Sequence, residues 1–510
     1  MNFIKVKILR IPSLLTFAVV SLLVGGDLKA RSQEQVKKPL VFAHYMHCYV
    51  LGAYQPTDER VRNPKLGDNL KDWPPMGRES SWYSADLAQV ASDGEVALAR
   101  EFELMKEAGV DAIGLLLGPR MLPISQFARG LDMVADVATR SSTKIIPEFW
   151  ANPWADDFET FGKTIKHFMD AHPGAFLVRD GKPMFIFAFD SGIAAKVHDP
   201  LSAPIKQISD FLEPWGGLDE TYTMFYVPYQ FEKAVRSPLI LKSNAIDVWT
   251  PQDDWSALHS PVVFRVGSAL NKEVAFPVSP AFYQRRAGQL PMEYGNSFGA
   301  ARYIDGWLEA IKNRPAFVNI QTWNDFSEDT AIVPTNTAGR VWLYLTTYFS
   351  SWLRSGRQPA IQEERVVLLR PKQLANAKLK NPKAKAINAV WRHASPTVDY
   401  LDVVTFLREP ASVRIILGTQ TWERWVPAGV HEWIVHSSLI EGKGFAAQAK
   451  YPTASWLRRI TVTDAFESAA PKVQLFRDNR LIGDLQSKTP FLDYGEWQDL
   501  TIIADEIALR

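Results

Sequence analysis

Between residues 40 and 353, short apolar runs alternate with longer stretches whose apolar residues recur at helical spacing. The runs at 40–45, 110–117, 144–149, 183–189, 222–227, 245–249, 274–278 and 316–322 have the length and β-branched content of strands. Helices are predicted over 95–108, 124–140, 157–171, 202–213, 231–238, 299–312 and 341–353. The first shows the pattern best: Leu98, Ala99, Phe102 and Met105 form a stripe, widened by Val96 and Leu104, and Gly109 follows as a C-cap would. The crossing between the sixth and seventh runs is poor in helical pattern. Strands apolar on both faces belong to parallel sheets covered by helices. Eight such units predict a closed (β/α)8 barrel, with an open doubly wound sheet as the alternative.

The chain has 510 residues, too many for one ordinary core. Its composition shifts at Ser355-Gly356-Arg357-Gln358-Pro359, so the barrel is assigned to 38–355. Beyond the linker the segments are short and strand-like, at 403–407, 413–417, 433–435, 460–462 and 473–476. Asp478-Asn479 is predicted to turn a hairpin. Residues 360–510 are therefore expected to form a β-sandwich accessory domain whose first role is to buttress the barrel. Lys372, Lys378, Lys380, Lys383 and Lys385 in it read as a solvated surface loop.

Residues 1–30 read as a signal peptide. Lys5, Lys7 and Arg10 precede an apolar stretch, Ile11 to Val24, too short to span a bilayer comfortably, and Gly25-Gly26 breaks it. Export to the periplasm or medium is expected, with no stable membrane span once the signal is removed. Cys48 is the only cysteine, so no intrachain disulfide is possible and core packing must stabilise the fold. A net charge of +1 gives no electrostatic case for nucleic acid. A monomer is expected.

In a barrel the reactive residues lie at the C-terminal ends of the strands. There the sequence places His44, Tyr45, His47, Glu148, Trp150, Asp190, Tyr226, Asp247, Trp249, Tyr283, Trp323, Asn324, Asp325 and Glu328. Acids and aromatics dominate, the inventory for glycoside hydrolysis. The stretch Trp323-Asn324-Asp325-Phe326-Ser327-Glu328-Asp329 concentrates it. The competing reading of that stretch is a helix N-cap. His44 and His47 form an H-x-x-H pair, but on a strand they face opposite sides and chelate poorly. No metal or cofactor is expected. Gly442 to Ala447 fits G-x-G-x-x-A formally and lacks the strand–turn–helix context of a dinucleotide site.

The segments 276–283 (Phe-Pro-Val-Ser-Pro-Ala-Phe-Tyr) and 317–328 (Phe-Val-Asn-Ile-Gln-Thr-Trp-Asn-Asp-Phe-Ser-Glu) resemble glycoside hydrolase family 71, the α-1,3-glucanases or mutanases. The runs 41–46 and 109–113 are similar to that family's first two strands, and 406–411 and 426–430 to its β domain. The resemblance implies an inverting reaction with Asp325 and Glu328 as the catalytic pair. Their places at the strand ends make His44, Tyr45, Asp190, Tyr226, Trp249, Tyr283, Trp323 and Asn324 the expected substrate contacts. The expected substrate is an α-glucan, cut endo at α-1,3 linkages. Ser327-Glu328-Asp329 departs from the family's Gly-Glu-Ser, so Asp329 is a candidate tuner of substrate choice. A glycosidase of another α-linkage, endo-α-mannosidase-like, and a non-catalytic glycan-binding barrel remain the alternatives.

Overall fold

The computed structural model describes residues 38–47, 94–118, 125–150, 158–188, 203–227, 238–248, 264–284, 293–295, 298–326, 328–386, 399–437, 460–463 and 466–509. Residues 1–30, expected to be a signal peptide, Cys48 and the 442–447 motif lie outside these.

The eight apolar runs are strands: β1 (Leu40–Tyr45), β2 (Ala112–Leu117), β3 (Lys144–Trp150), β4 (Lys182–Ala188), β5 (Tyr222–Val227), β6 (Ala245–Val248), β7 (Glu273–Val278) and β8 (Phe317–Ile320). They pair in parallel, each with its sequence neighbours, and β1 pairs with β8. The sheet is thus closed, and the open-sheet alternative falls. Helices α1 (Gly94–Ala108), α2 (Ser125–Arg140), α3 (Phe158–Ala171), α4 (Ala203–Leu212), α5 (Pro238–Lys242), α6 (Ala301–Asn313) and α7 (Val341–Ser355) lie along the chain between and after the strands. Residues 264–269 in the crossing before β7 are also helical.

Alternation along each strand sorts the side chains into two cores. Phe42, Ala112, Ile146, Met184, Met224, Ala245, Ala275 and Phe317 fill the barrel interior. Val41, Ala43, Tyr45, Ile113, Ile145, Phe185, Phe225, Ile246 and Val318 face the helices. The predicted stripe of α1 is rotated by about one residue. Ala97, Leu98, Glu101, Phe102, Leu104 and Met105 are buried, and Val96 is 51% exposed.

After the barrel come β9 (Arg365–Pro371), β10 (Gln373–Leu379), β11 (Tyr400–Leu407), β12 (Ala411–Leu417), β13 (Gln420–Val426), β14 (Gly429–Ser437), β15 (Ile460–Thr463), β16 (Lys472–Arg477), β17 (Arg480–Gln486), β18 (Leu492–Gly495) and β19 (Ile502–Ala508). They make a five-stranded sheet (β15-β14-β11-β9-β19), a four-stranded sheet (β13-β12-β16-β17) and the parallel pair β10-β18. Asp478 and Asn479 turn the β16–β17 hairpin with φ of 50° and 62°, the left-handed pair a type I′ turn requires. The five-stranded sheet is apolar on both faces. Val366, Leu368, Leu401 and Val403 share a core with Val413, Ile415, Val473 and Leu475 of the four-stranded sheet. Val367, Leu369, Val404 and Phe406 join the barrel's outer core instead. Residues Pro39–Arg510 accordingly form one compact unit. The expected lysine-rich loop is in part strand β10, whose side chains alternate between partly buried and exposed beyond Leu374. Among the described residues no helix is long and apolar enough to cross a membrane.

Candidate active site

Two residues beyond the apolar floor of the barrel, the same period-2 alternation brings a second storey to the C-terminal rim. It contains His44, Gly114, Glu148, Ile186, Tyr226, Asp247 and Asn319. A polar storey this deep must be internally hydrogen-bonded. Glu148, with no exposed surface, binds His44 Nδ1 at 2.8 Å through Oε1, and the same oxygen accepts the Tyr226 hydroxyl at 3.0 Å. Asn319 Nδ2 donates to Asp247 Oδ2 at 2.5 Å. Gly114 makes room for the acid: a Cβ there would lie 2.3 Å from Glu148 Oε2.

Burial works against a charged imidazole at His44, but the Glu148 carboxylate outweighs it, aided by the charges of Asp325 and Glu328. The His44 pKa is raised. Burial, with the Glu148 and Asp247 carboxylates, raises the Tyr226 hydroxyl well above its ordinary value. His47 goes the other way, down to about 4, through burial and repulsion by His44.

The chain leaving β8 is laid across this storey. Trp323 N donates to His44 O at 2.8 Å, and Asn324 bridges the backbone of Met46, accepting from its N at 2.8 Å and donating to its O at 3.3 Å. Asp325 N donates to Thr322 Oγ1 at 2.8 Å, and Glu328 N donates to Asp325 Oδ1 at 3.2 Å. Thr322 N then pairs with Thr330 O at 3.0 Å. The acids thus sit on a closed turn, and the next helix starts only at Val341. The N-cap reading of this stretch does not hold. Asp325 is 4% exposed and Glu328 is partly exposed. The arrangement sets two carboxylates of different solvation beside a buried imidazole–carboxylate pair, a layout suited to acid–base chemistry.

Residues 90–446, a span that includes this turn and seven of the eight barrel strands, match the family model of glycosyl hydrolase family 71. The chain belongs to that family. As a family 71 chain it is 35% identical over 77 residues to the ascus wall endo-1,3-alpha-glucanase of Schizosaccharomyces pombe. That stretch covers 15% of this chain and only 17% of the yeast protein. Among solved structures, the GH99 endo-alpha-mannosidase of Bacteroides thetaiotaomicron aligns at 14% identity and a TM-score of 0.44, covering 62% of this chain and 98% of its own. The GH27 β-L-arabinopyranosidase of Geobacillus stearothermophilus aligns at 10% identity and a TM-score of 0.35, covering 80% and 98%.

Of the residues expected at the barrel rim, His44, Tyr226, Asn324, Asp325 and Glu328 converge. Tyr45 and Trp323 do not. Both are fully buried and point away from the barrel interior, toward α1. There Glu101 accepts Trp323 Nε1 at 2.7 Å and the Tyr45 hydroxyl at 3.2 Å. For Tyr45 strand alternation is the cause, since His44 faces inward and its neighbour must face outward; Trp323 lies past the end of β8, where the chain has left the strand. Tyr283 is also turned away: its hydroxyl donates to the Gln498 carbonyl and its ring packs on Tyr294. Its backbone N holds Glu328 O at 2.8 Å. Asp329 is not a free rim residue, because its Oδ2 accepts Ile502 N at 3.2 Å. Asp190 and Trp249 lie outside the described residues.

Glu148 and Asp247 are strand-end acids that the sequence does not mark as site residues, and neither Asn319 nor Glu101 stands out at a strand end. Each had a signal: Asn319 is an amide inside an apolar run, and Glu101 an acid beside Leu98, Phe102 and Met105. An isolated polar residue on a core face demands a buried partner.

Proposed function

We propose that the chain is an endo-acting glycoside hydrolase of α-glucan, preferring α-1,3 linkages and inverting the anomeric centre. The observation that carries this reading is the turn after β8. It lies within the family 71 match, and its Asp325 and Glu328 both act electrostatically on His44. In this reading Glu328 is the general acid. It protonates the leaving glycosidic oxygen as the C1–O bond breaks. Asp325 is the base that takes a proton from the attacking water on the opposite face. Inversion of this kind generally uses carboxyl groups roughly 6.5–9.5 Å apart, leaving space for that water. His44, fixed by Glu148, stands beside the two carboxylates, and with Tyr226 and Asn324 it offers hydrogen bonds to the sugar.

The same reading takes residues 1–30 as an export signal, placing the enzyme in the periplasm or medium, and residues 360–510 as a β-sandwich accessory domain. The similarity to the yeast endo-1,3-alpha-glucanase supports the linkage. Incubation with insoluble α-1,3-glucan, beside α-1,4-, α-1,6- and α-mannan polymers, tests it. Release of α-1,3-linked oligosaccharides as β-anomers is expected. Turnover of another polymer alone would overturn the linkage, and binding without turnover on all of them would overturn the enzyme.

A further inference from the structure

Beyond the barrel, the four-stranded sheet has one face in the shared core and one turned outward. Register fixes what stands on the outward face. Trp425 lies opposite Ser412, Ser412 opposite Phe476, and Phe476 opposite Leu481. One row therefore crosses all four strands, about 14 Å at the usual strand spacing. Trp425 is 63% exposed at one end and Leu481 50% at the other. Ser412 and a partly exposed Phe476 stand between them, and an indole that open on a strand buries little of its own apolar surface.

The next row on the same face is polar and self-compensated. Glu423 accepts Ser412 Oγ at 2.7 Å and Arg414 Nη2 at 3.0 Å. The Arg414 guanidinium is held 4.7 Å above the Phe476 ring. Asp484 pairs with Lys472 at 2.9 Å and accepts Gln474 Nε2 at 3.4 Å. The face thus sets an exposed indole beside a fixed row of donors and acceptors whose charges cancel. That combination fits a neutral, polyhydroxylated chain: carbon faces of sugar rings lie on Trp425 and Leu481, and hydroxyls meet the Glu423–Arg414 row. It offers no net charge to an ionic partner. Strand addition by a second copy is disfavoured, since β13, an edge strand of this sheet among the described residues, carries Glu423 and Arg424.

We propose that this outward face, centred on Trp425, is a secondary binding surface for the α-glucan chain, distinct from the barrel site. The proposal rests on the α-glucan reading above. Its effect is to hold insoluble polymer near the barrel, so it acts on the solid substrate and not on short soluble ones.

The test compares wild type, Trp425→Ala and Trp425→Tyr, as full chains, in two assays. One is sedimentation with insoluble α-1,3-glucan in the cold, and the other is turnover of soluble α-1,3-oligosaccharides. The expected result is a loss of polymer binding of about tenfold in Trp425→Ala, as for an exposed tryptophan anchor. Soluble turnover should be unchanged, and Trp425→Tyr should recover most of the binding. Unchanged polymer binding in Trp425→Ala would overturn the surface site while leaving the hydrolase reading standing. So would wild-type turnover of soluble substrate without sedimentation. Equal losses in both assays would give Trp425 a structural role and overturn the proposal. A wild type that neither binds nor cleaves α-1,3-glucan would overturn both readings.

Discussion

His44 and Glu148 form a buried pair, Nδ1 to Oε1 at 2.8 Å, with side chains 3% and 0% exposed. They come from β1 and β3, which are not neighbours, and meet across the barrel because Gly114 on the strand between them has no side chain. The pair raises the His44 pKa against the pull of burial. A raised folded pKa stabilises fully below the unfolded value of about 6.5 and is lost as pH rises through the folded value. Wild-type Tm should therefore fall as pH rises from about 6.5 into the alkaline range. Glu148→Gln should flatten that fall. It should also destabilise the protein at pH 6 by about 3 kcal/mol, because it leaves a buried imidazole without its counter-charge. Thermal unfolding across pH measures both.

Gly114 has a steric role that a substitution can expose. Gly114→Ala would put a methyl 2.3 Å from Glu148 Oε2 and push the carboxylate off His44. A loss of stability of about 1–3 kcal/mol is expected. Hydrolysis should fall more than Tm alone would suggest. A fully active Gly114→Ala would show that Glu148 has freedom the packing does not offer.

Glu101 makes a second pH-dependent contribution with a different window. Burial pushes its pKa up to about 8, while the hydrogen bonds from Trp323 and Tyr45 only partly oppose this. The folded state holds a proton that the unfolded state releases above about 4.5. Stability from this group is present below about 4.5 and is lost progressively as pH rises to about 8, by up to ~1.4 kcal/mol per pH unit. Glu101→Gln keeps an acceptor for the indole and removes the charge. It should raise Tm at pH 8 while leaving Tm at pH 4 little changed, as differential scanning calorimetry would read.

Asp329 adopts φ of 54° and accepts the backbone N of Ile502. Asp329→Ala removes the acceptor at a strained position and should cost about 1–3 kcal/mol. Asp329→Asn should be nearly neutral, since its amide oxygen still accepts. Equal product profiles for wild type and Asp329→Asn on a panel of glucans would fit this structural role, and a changed preference would restore the substrate-tuning expectation.

The barrel was legible because parallel strands buried on both sides leave long apolar runs, and amphipathic helices leave a stripe. Strand limits fell within one or two residues of expectation, as at 144–149 against Lys144–Trp150. The two acids of the turn were legible as residue types at the end of the last strand. What was not legible was direction. Tyr45 and Trp323 looked like sugar platforms and instead bind Glu101: period-2 alternation turns Tyr45 outward once His44 is inside, and Trp323 follows the chain past the end of β8. The pairing of His44 with Glu148 joins residues 104 positions apart through a glycine, which no local pattern announces. Nor does local pattern reveal that Asp329 serves a strand near the end of the chain.

The central claim is that Asp325 and Glu328 perform the hydrolysis. Its most direct test measures the initial rate of α-1,3-oligosaccharide cleavage by wild type, Asp325→Asn and Glu328→Gln, with thermal unfolding as the control for folding. Each substitution should lower the rate by at least about 10²-fold with Tm within a few degrees of wild type. Near-wild-type rates in both variants would contradict the account.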